Sequence, residues 1–221
     1  MSPKWTHLIR FIAEEDGLIH LGEIDPTVYP DVGLAMLEGQ KVTAKEIKGT
    51  AFDGVFTDKI LQVKQLLCPL SYDEVPIIRC LGLNYHDHAK EAKMPIPDVP
   101  VLFVKPRHAL NGPHPSKIVV PKIAQDGSSD YEAELTFVIS KTGKDIREDE
   151  AMEYVLGYTC GNDVSCRVQQ FKNSQWSYSK GFDASAPIGP MLVSPAALPN
   201  VHELGIKAIH NGTTVQDSNT S

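Results

Sequence analysis

The sequence predicts a strand-rich α+β chain in two parts, a small N-terminal domain over residues 1–74 and a larger domain over residues 75–221. Three observations predict it. Apolar and polar residues alternate near both ends of the chain, at the spacing of half-buried strands. Segments with helical spacing are few and short. Pro69 and Pro76 punctuate the chain where its character changes, from alternation to short continuous apolar runs.

The elements follow in order. Residues 6–24 read as a hairpin: Thr6 to Ala13 alternates, Glu15-Asp16-Gly17 turns, and Leu18 to Ile24 alternates again. Val32 to Leu37 is weakly amphipathic and predicts a helix; Lys41 to Ile47 predicts a strand and Leu61 to Leu67 a further short element. Ile77 to Leu83 is an apolar run that predicts a buried strand, and a helix is expected over His86 to Lys93. Pro95, Pro97 and Pro100 hold the chain extended into a strand at Val101 to Lys105. Residues 106–129 are rich in Pro, Gly and Ser, with a brief strand expected at Ile118 to Val120. A strand over Tyr131 to Ser140, a turn at Thr142-Gly143 and a helix over Glu148 to Val155 come next. Tyr158 to Asp163 reads as a strand opening into a loop, and Arg167 to Phe171 as a helical turn. Ile206 to Ile209 and Thr213 to Gln216 flank Asn211-Gly212, a pair suited to the type I′ turn of a hairpin. The second strand of that hairpin would need a neighbour or remain an edge. No internal repeat or low-complexity tract is present.

With 42% hydrophobic and 22% charged residues, the chain can build an ordinary core. Its formal net charge of −7 argues against general nucleic-acid binding, which needs clustered Lys and Arg. A bound cation or a local basic group can still favour an anionic ligand in one pocket. The four cysteines, Cys68, Cys80, Cys160 and Cys166, match no zinc spacing and read as small buried thiols in a reducing compartment. No apolar run approaches the ~18 residues of a membrane span. The expected compartment is the cytoplasm, with the mitochondrion as the other one open.

Four groups of residues could carry chemistry. Glu132 and Glu134 lie two apart on a strand, so they share a face opposite Ala133, Leu135 and Phe137. Two adjacent carboxylates repel unless water or a hard cation such as Mg²⁺, Mn²⁺ or Ca²⁺ screens them. A solvated strand face is the commoner meaning of an isolated pair of this kind. Asp163 stands where a strand opens into a loop, and could join those glutamates or simply cap its own turn. On the helix expected at His86 to Lys93, His88 and Glu91 are three apart and share a face, the arrangement of a carboxylate-oriented general base; a surface helix is the competing meaning. Zinc on His86 and His88 lacks a second ligand pair. Lys180, beside Gly181 in an aromatic stretch, could stabilise a developing enolate or carboxylate, although loop lysines are common. Arg167 and Gln170 are spaced to hold a carboxylate together. Phosphate-loop and dinucleotide fingerprints are absent, and Cys166 has no support as a nucleophile.

The ordered set is more specific than its parts. Gly82-Leu83-Asn84-Tyr85-x-x-His88-x-x-Glu91, Phe103-x-Lys105, Asp130-Tyr131-Glu132-x-Glu134-Leu135, Gly157-Tyr158-Thr159, Asn162-Asp163-x-Ser165-x-Arg167, Lys180-x-Phe182-Asp183 and Gly189-Pro190 together resemble the fumarylacetoacetate hydrolase family over about residues 76–217. The resemblance implies a mixed, β-rich catalytic domain, usually a homodimer, behind a small leading domain. It implies that Glu132, Glu134 and Asp163 are ligands of Mg²⁺, Mn²⁺ or Ca²⁺. It implies that His88 and Glu91 are a water-activating dyad, that Lys180 faces the substrate oxo or enolate group, and that Arg167 and Gln170 lie near substrate. The implied substrate is a small oxo acid, cleaved as an acylpyruvate or, without water attack, decarboxylated or tautomerised as oxaloacetate. Family members continue past the strand matching Thr213 to Gln216, so an incomplete catalytic domain is expected here. An inactive product, or a partner subunit of a full-length paralogue, is the alternative.

Overall fold

The computed structural model describes residues 3–85 and 97–221 of the chain. The expected helix over His86 to Lys93, with His86, His88 and Glu91 on it, lies outside the described residues.

The N-terminal strands β1 (His7–Ala13), β2 (Ile19–Glu23), β3 (Thr43–Lys48) and β4 (Val55–Leu67) pair in the order β1-β2-β3-β4, and β4 returns to β1, so they close a ring. The hairpin expected over residues 6–24 is there, and its turn works as the sequence suggests. Gly17 takes the left-handed conformation at φ 70°, and Asp16 accepts a hydrogen bond from the Leu18 amide at 2.8 Å. Helix α1 (Val32–Leu37) begins where Asp31 accepts from the Leu34 amide. It ends where Gly39, at φ 73°, lets the amides of Gly39 and Gln40 reach back to the carbonyls of Met36 and Ala35. One face of this ring packs Ile9, Phe11, Val32, Val42 and Val63 into a core of its own.

Tyr72–Glu74 is a 3₁₀ turn capped by Ser71 and leads to β5 (Ile77–Gly82), which pairs antiparallel with β6 (Val101–Pro106). The expectation of a buried β5 is corrected: its residues alternate between exposed and half-buried, because β6 is its sole ladder partner among the described residues. Then follow β7 (Leu110–Asn111), β8 (Ser129–Asp130), β9 (Ala133–Ile139), β10 (Val155–Asn162) and β11 (Ser165–Cys166). Helices α2 (Arg167–Gln170) and α3 (Ser177–Lys180), strand β12 (Ala186–Val193), and the hairpin β13 (Gly205–His210) and β14 (Thr213–Asn219) complete the order.

Strand β12 joins the two parts. It pairs with β10 on one side and meets β1 on the other, with Leu192 opposite Leu8 and Val193 opposite His7. The large sheet therefore runs β2-β3-β4-β1-β12-β10-β9 across residue 74. Beneath the junction, Trp5, Leu8, Leu21 and Ile47 pack with Leu70, Leu156, Ile188 and Leu192 in a shared core. The mixed, β-rich fold class expected from the sequence is the one observed.

Several details differ from expectation. Ile118 to Val120 is not a strand; Pro113, Pro115 and Pro121 surround it, and the Val120 carbonyl is met by the Gln125 side chain instead of a ladder. Glu148–Tyr154 is a 3₁₀ rather than an α-helix. The element at Leu61 to Leu67 extends back to Val55. Of the four cysteines, Cys68 and Cys166 are buried, Cys80 is half-buried and Cys160 is exposed, and none is in a disulfide. The turn between β13 and β14 has Asn211 at φ 49° and Gly212 at φ 78°, the two positive values of a type I′ turn.

Candidate active site

The centre of the site is built by backbone pairing between the start of β9 and the end of β10. Ala133 stands opposite Asn162. The Glu132 amide donates to Asn162 Oδ1 at 3.2 Å, and the Asp163 amide donates to the Glu132 carbonyl at 2.9 Å. Two residues distant in sequence, Glu132 and Asp163, thus become backbone neighbours. The short pair β8–β11 sets Asp130 opposite Ser165 and carries Arg167 alongside.

Lys180 enters this cluster from the end of α3. It is only 2% exposed, so the common meaning of a loop lysine does not apply. Its Nζ lies 2.7 Å from Asp163 Oδ2, 2.9 Å from Glu132 Oε2 and 2.6 Å from Ser165 Oγ. The Phe103 ring lies under the same ammonium, 5.2 Å from Nζ to its centroid, and Trp176 packs edge-on against Phe103 at 5.6 Å. A second buried lysine, Lys105, is 1% exposed. Its Nζ forms an ion pair with Asp163 Oδ1 at 2.8 Å and donates to the carbonyls of Ser185 at 2.8 Å and Val164 at 3.1 Å. Burial pushes the Asp163 carboxyl upward, but Lys105 and Lys180 outweigh it and hold the group below the usual carboxylate range.

Glu134 has the opposite fate. Burial pushes its carboxyl up, the charges of Glu132 and Asp163 add to the effect, and a hydrogen bond from Tyr85 and the charge of Lys180 resist it; the result is about 7. Tyr85 is fixed in turn, its phenolic oxygen accepting from the Leu135 amide at 3.1 Å. Burial and the adjacent Glu134 push the Tyr85 phenol upward, so it stays a donor.

Arg167 and Gln170 do meet, with Nη1 donating to Gln170 Oε1 at 3.0 Å. The guanidinium is already engaged: it pairs with Asp130 at 2.8 Å and with Glu132 at 2.5 Å. The sequence therefore placed Arg167 beside the site without showing that acidic side chains hold it there. Cys166 is buried next to Ser129, and burial pushes its thiol up, which leaves it a poor nucleophile.

The structure brings together Glu132, Glu134, Asp163, Lys180 and Arg167, with Gln170 behind Arg167; His88 and Glu91 lie outside the described residues. Sequence reasoning missed Lys105, Ser165 and Tyr85 as members of the cluster, although each stood inside a quoted motif. Lys105 had a readable signal. It is two residues from Phe103 on a strand, so it shares that residue's inward face, where a lysine needs a buried partner.

Four carboxylates, Asp130, Glu132, Glu134 and Asp163, face three cations, Lys105, Arg167 and Lys180. With Glu134 ionised, negative charge is in excess; burial first, and the charges of Glu132 and Asp163 after it, oppose that ionisation. An all-oxygen donor set with surplus negative charge fits a hard divalent cation. Lys180 Nζ lies between Glu132 and Asp163, and among the described residues no three His, Cys, Asp or Glu side chains already form a ligand cage.

Residues 77–221 match the family described as fumarylacetoacetate (FAA) hydrolase C-terminal. The chain is 49% identical over 190 residues to a caffeoylpyruvate hydrolase of Neonothopanus nambi, covering 82% of this chain and 65% of the relative. It is 43% identical over 158 residues to oxaloacetate tautomerase fahd2, mitochondrial, of Xenopus laevis, covering 71% of this chain and 48% of the relative. The structure resembles a 2-hydroxyhepta-2,4-diene-1,7-dioate isomerase from Mycobacterium marinum with a TM-score of 0.75 and 30% identity, covering 97% of this chain and 75% of that one. The chain thus spans 65% and 48% of the two curated relatives' lengths. The chain belongs to the fumarylacetoacetate hydrolase family.

Proposed function

Starting from that membership, we propose that the chain is an enzyme that cleaves a carbon–carbon bond of a small acylpyruvate-type oxo acid by metal-dependent hydrolysis. The observation that carries the proposal is the buried Lys180 ammonium, in contact with both Glu132 and Asp163. A cation fixed by packing beside carboxylates can stabilise negative charge where water is scarce. The 49% identity to a relative named caffeoylpyruvate hydrolase supports the acylpyruvate class.

Mg²⁺, Mn²⁺ or Ca²⁺ held by Glu132, Glu134 and Asp163 would supply Lewis-acid polarisation of the oxo-acid oxygens. The chain's own residues do the rest. His88, oriented by Glu91, takes a proton from water, and the resulting hydroxide attacks the acyl carbonyl. The bond to the pyruvate methylene then breaks and leaves its electron pair on pyruvate as an enolate. Lys180 stabilises that enolate, and a proton returns to the carbon to give pyruvate and a carboxylic acid. Glu134, poised near neutrality, can carry a proton within the site. Arg167 and Gln170 orient the substrate carboxylate. Lys105 keeps Asp163 in place from behind.

A second reading is tautomerisation or decarboxylation of oxaloacetate, favoured by the 43% identity to a relative named oxaloacetate tautomerase. It uses the same lysine and carboxylates without water attack. Among the described residues no helix is long and apolar enough to cross a membrane. We place the reaction in the cytoplasm or the mitochondrion, and the working unit as a homodimer. Light scattering of the purified chain tests the dimer.

The deciding experiment measures loss of acetylpyruvate and ketonisation of oxaloacetate enol with Mg²⁺, with chelator, and in Lys180→Met. Hydrolysis should need the metal and fall by about 10²–10³ in Lys180→Met, the loss typical for a group that stabilises developing charge. Hydrolysis that survives chelation and the substitution unchanged would overturn the proposal. Ketonisation without hydrolysis would select the second reading.

A further inference from the structure

The strand that carries Glu134, and that begins one residue after Glu132, is an edge. Strand β9 pairs with β10 on one side, and its other side carries no ladder among the described residues. At Ala133, the residue between the two glutamates, the outward N–H and C=O are met by a single side chain. The Ala133 amide donates to Gln216 Oε1 at 2.9 Å, and Gln216 Nε2 donates to the Ala133 carbonyl at 2.8 Å. A primary amide presents an N–H and a C=O side by side, the pattern that a neighbouring strand would present. Gln216 is thus a one-residue substitute for a strand.

The anchor comes from far away in sequence. Gln216 sits in β14, pairs with Ala208 in β13, and belongs to a hairpin that packs against β9 and also brings the His210 ring 5.4 Å from Tyr131. On the opposite side, Asn162 and the Asp163 amide hold Glu132. The peptide between the two glutamates is therefore gripped from both edges, by β10 and by Gln216. Residues that fix the direction of ligating or catalytic side chains act through such contacts without touching the reacting atoms.

We infer that Gln216 is a positioning residue that fixes the backbone at Ala133, and through it the spacing of Glu132 and Glu134 from Asp163. The consequence for metal binding rests on the function proposed above; the consequence for the backbone does not. Gln216→Met keeps the length and packing of the side chain and removes both hydrogen bonds. Gln216→Ala removes the packing as well and serves as the second variant.

Two measurements on the full chain test this. Amide hydrogen exchange in metal-free protein should accelerate by about tenfold across residues 131–136 in Gln216→Met, with the hairpin 205–219 still protected and the global melt nearly unchanged. Calorimetric titration with Mn²⁺ should show affinity about tenfold weaker than in the parent. Unchanged exchange across 131–136, or equal loss of protection in the hairpin, would overturn the positioning role and leave Gln216 as a fastener of β14. A parent that binds Mn²⁺ no more tightly than Gln216→Met would overturn the link to the carboxylates. A parent that binds no Mn²⁺ at all would sink the proposed metal-dependent function, and the exchange data would still decide the role of Gln216.

Discussion

Replacing Lys105 by methionine removes a buried cation while nearly preserving side-chain volume, so the change isolates charge and hydrogen bonding. Lys105 Nζ has four partner atoms: Asp163 Oδ1 at 2.8 Å, Ser185 O at 2.8 Å, Val164 O at 3.1 Å and Ser185 Oγ at 3.4 Å. Leaving the Val164 carbonyl without that donor costs about 1–3 kcal/mol, whereas the Ser185 carbonyl still accepts from the Val164 amide at 3.2 Å. Asp163 also loses one of its two cations, at 9% exposure, where solvent does little to replace it. Against this stands the relief of no longer desolvating an ammonium. Breaking a buried pair from one side nets about 3–5 kcal/mol. A chain of this size loses about 2–4 °C in Tm per kcal/mol, so even the lower figure lowers the melt by about 6–12 °C. Because Asp163 is held below its unfolded pKa, the stability it contributes is present above about pH 4 and is lost as pH falls through the folded value. The deficit of Lys105→Met should therefore be large at pH 7 and shrink in acid. Thermal melts from pH 7 down to pH 3, with exposed Lys122→Met as control, measure it. A shift at pH 7 no larger than the control's would refute the role given to Lys105.

Other outcomes follow from the same structure. Glu134 is raised to about 7, so its neutral form stabilises the metal-free fold and that contribution is lost as pH rises from about 4.5 through 7; Glu134→Gln should flatten the decline, by about 3 kcal/mol at most, in urea titrations across pH 5–8. A Cβ at Gly82 would lie 2.2 Å from the Trp176 ring, so Gly82→Ala should lower stability by about 1–3 kcal/mol and move the Trp176 fluorescence; an unshifted spectrum would contradict the packing. Gly212 sits at φ 78° with open space around it, so Gly212→Ala should cost about 1 kcal/mol through backbone strain alone, checked by urea denaturation.

Strands whose two faces differ were the legible part of the fold. His7–Ala13 and Ile19–Glu23 face a core on one side, so alternation and the Asp16-Gly17 turn identified them. Asn211-Gly212 identified the other hairpin because few residue pairs accept two positive φ values. The first half of β4 was missed because Thr57, Asp58 and Lys59 lie in its exposed portion and carry no apolar signal. Strand β12, which joins the two parts, was hidden by Pro187, Gly189 and Pro190, residues that usually interrupt strands. At the site, the sequence pointed to Glu132, Glu134, Asp163 and Lys180, because their order matched a family pattern. It could not show which charges meet. That Arg167 is bound by Asp130 and Glu132, or that Asp163 has two lysines, depends on the β8–β11 and β9–β10 pairings, which no local pattern encodes.

Calorimetric titration of Mg²⁺ into the parent chain at pH 7.5, beside Glu134→Gln and Asp163→Asn, tests the carboxylate centre most directly. The parent should bind one ion per chain, and each substitution should weaken that binding by at least about tenfold while the chain stays folded by circular dichroism. Binding of equal strength in all three folded proteins, or none in the parent, would contradict it.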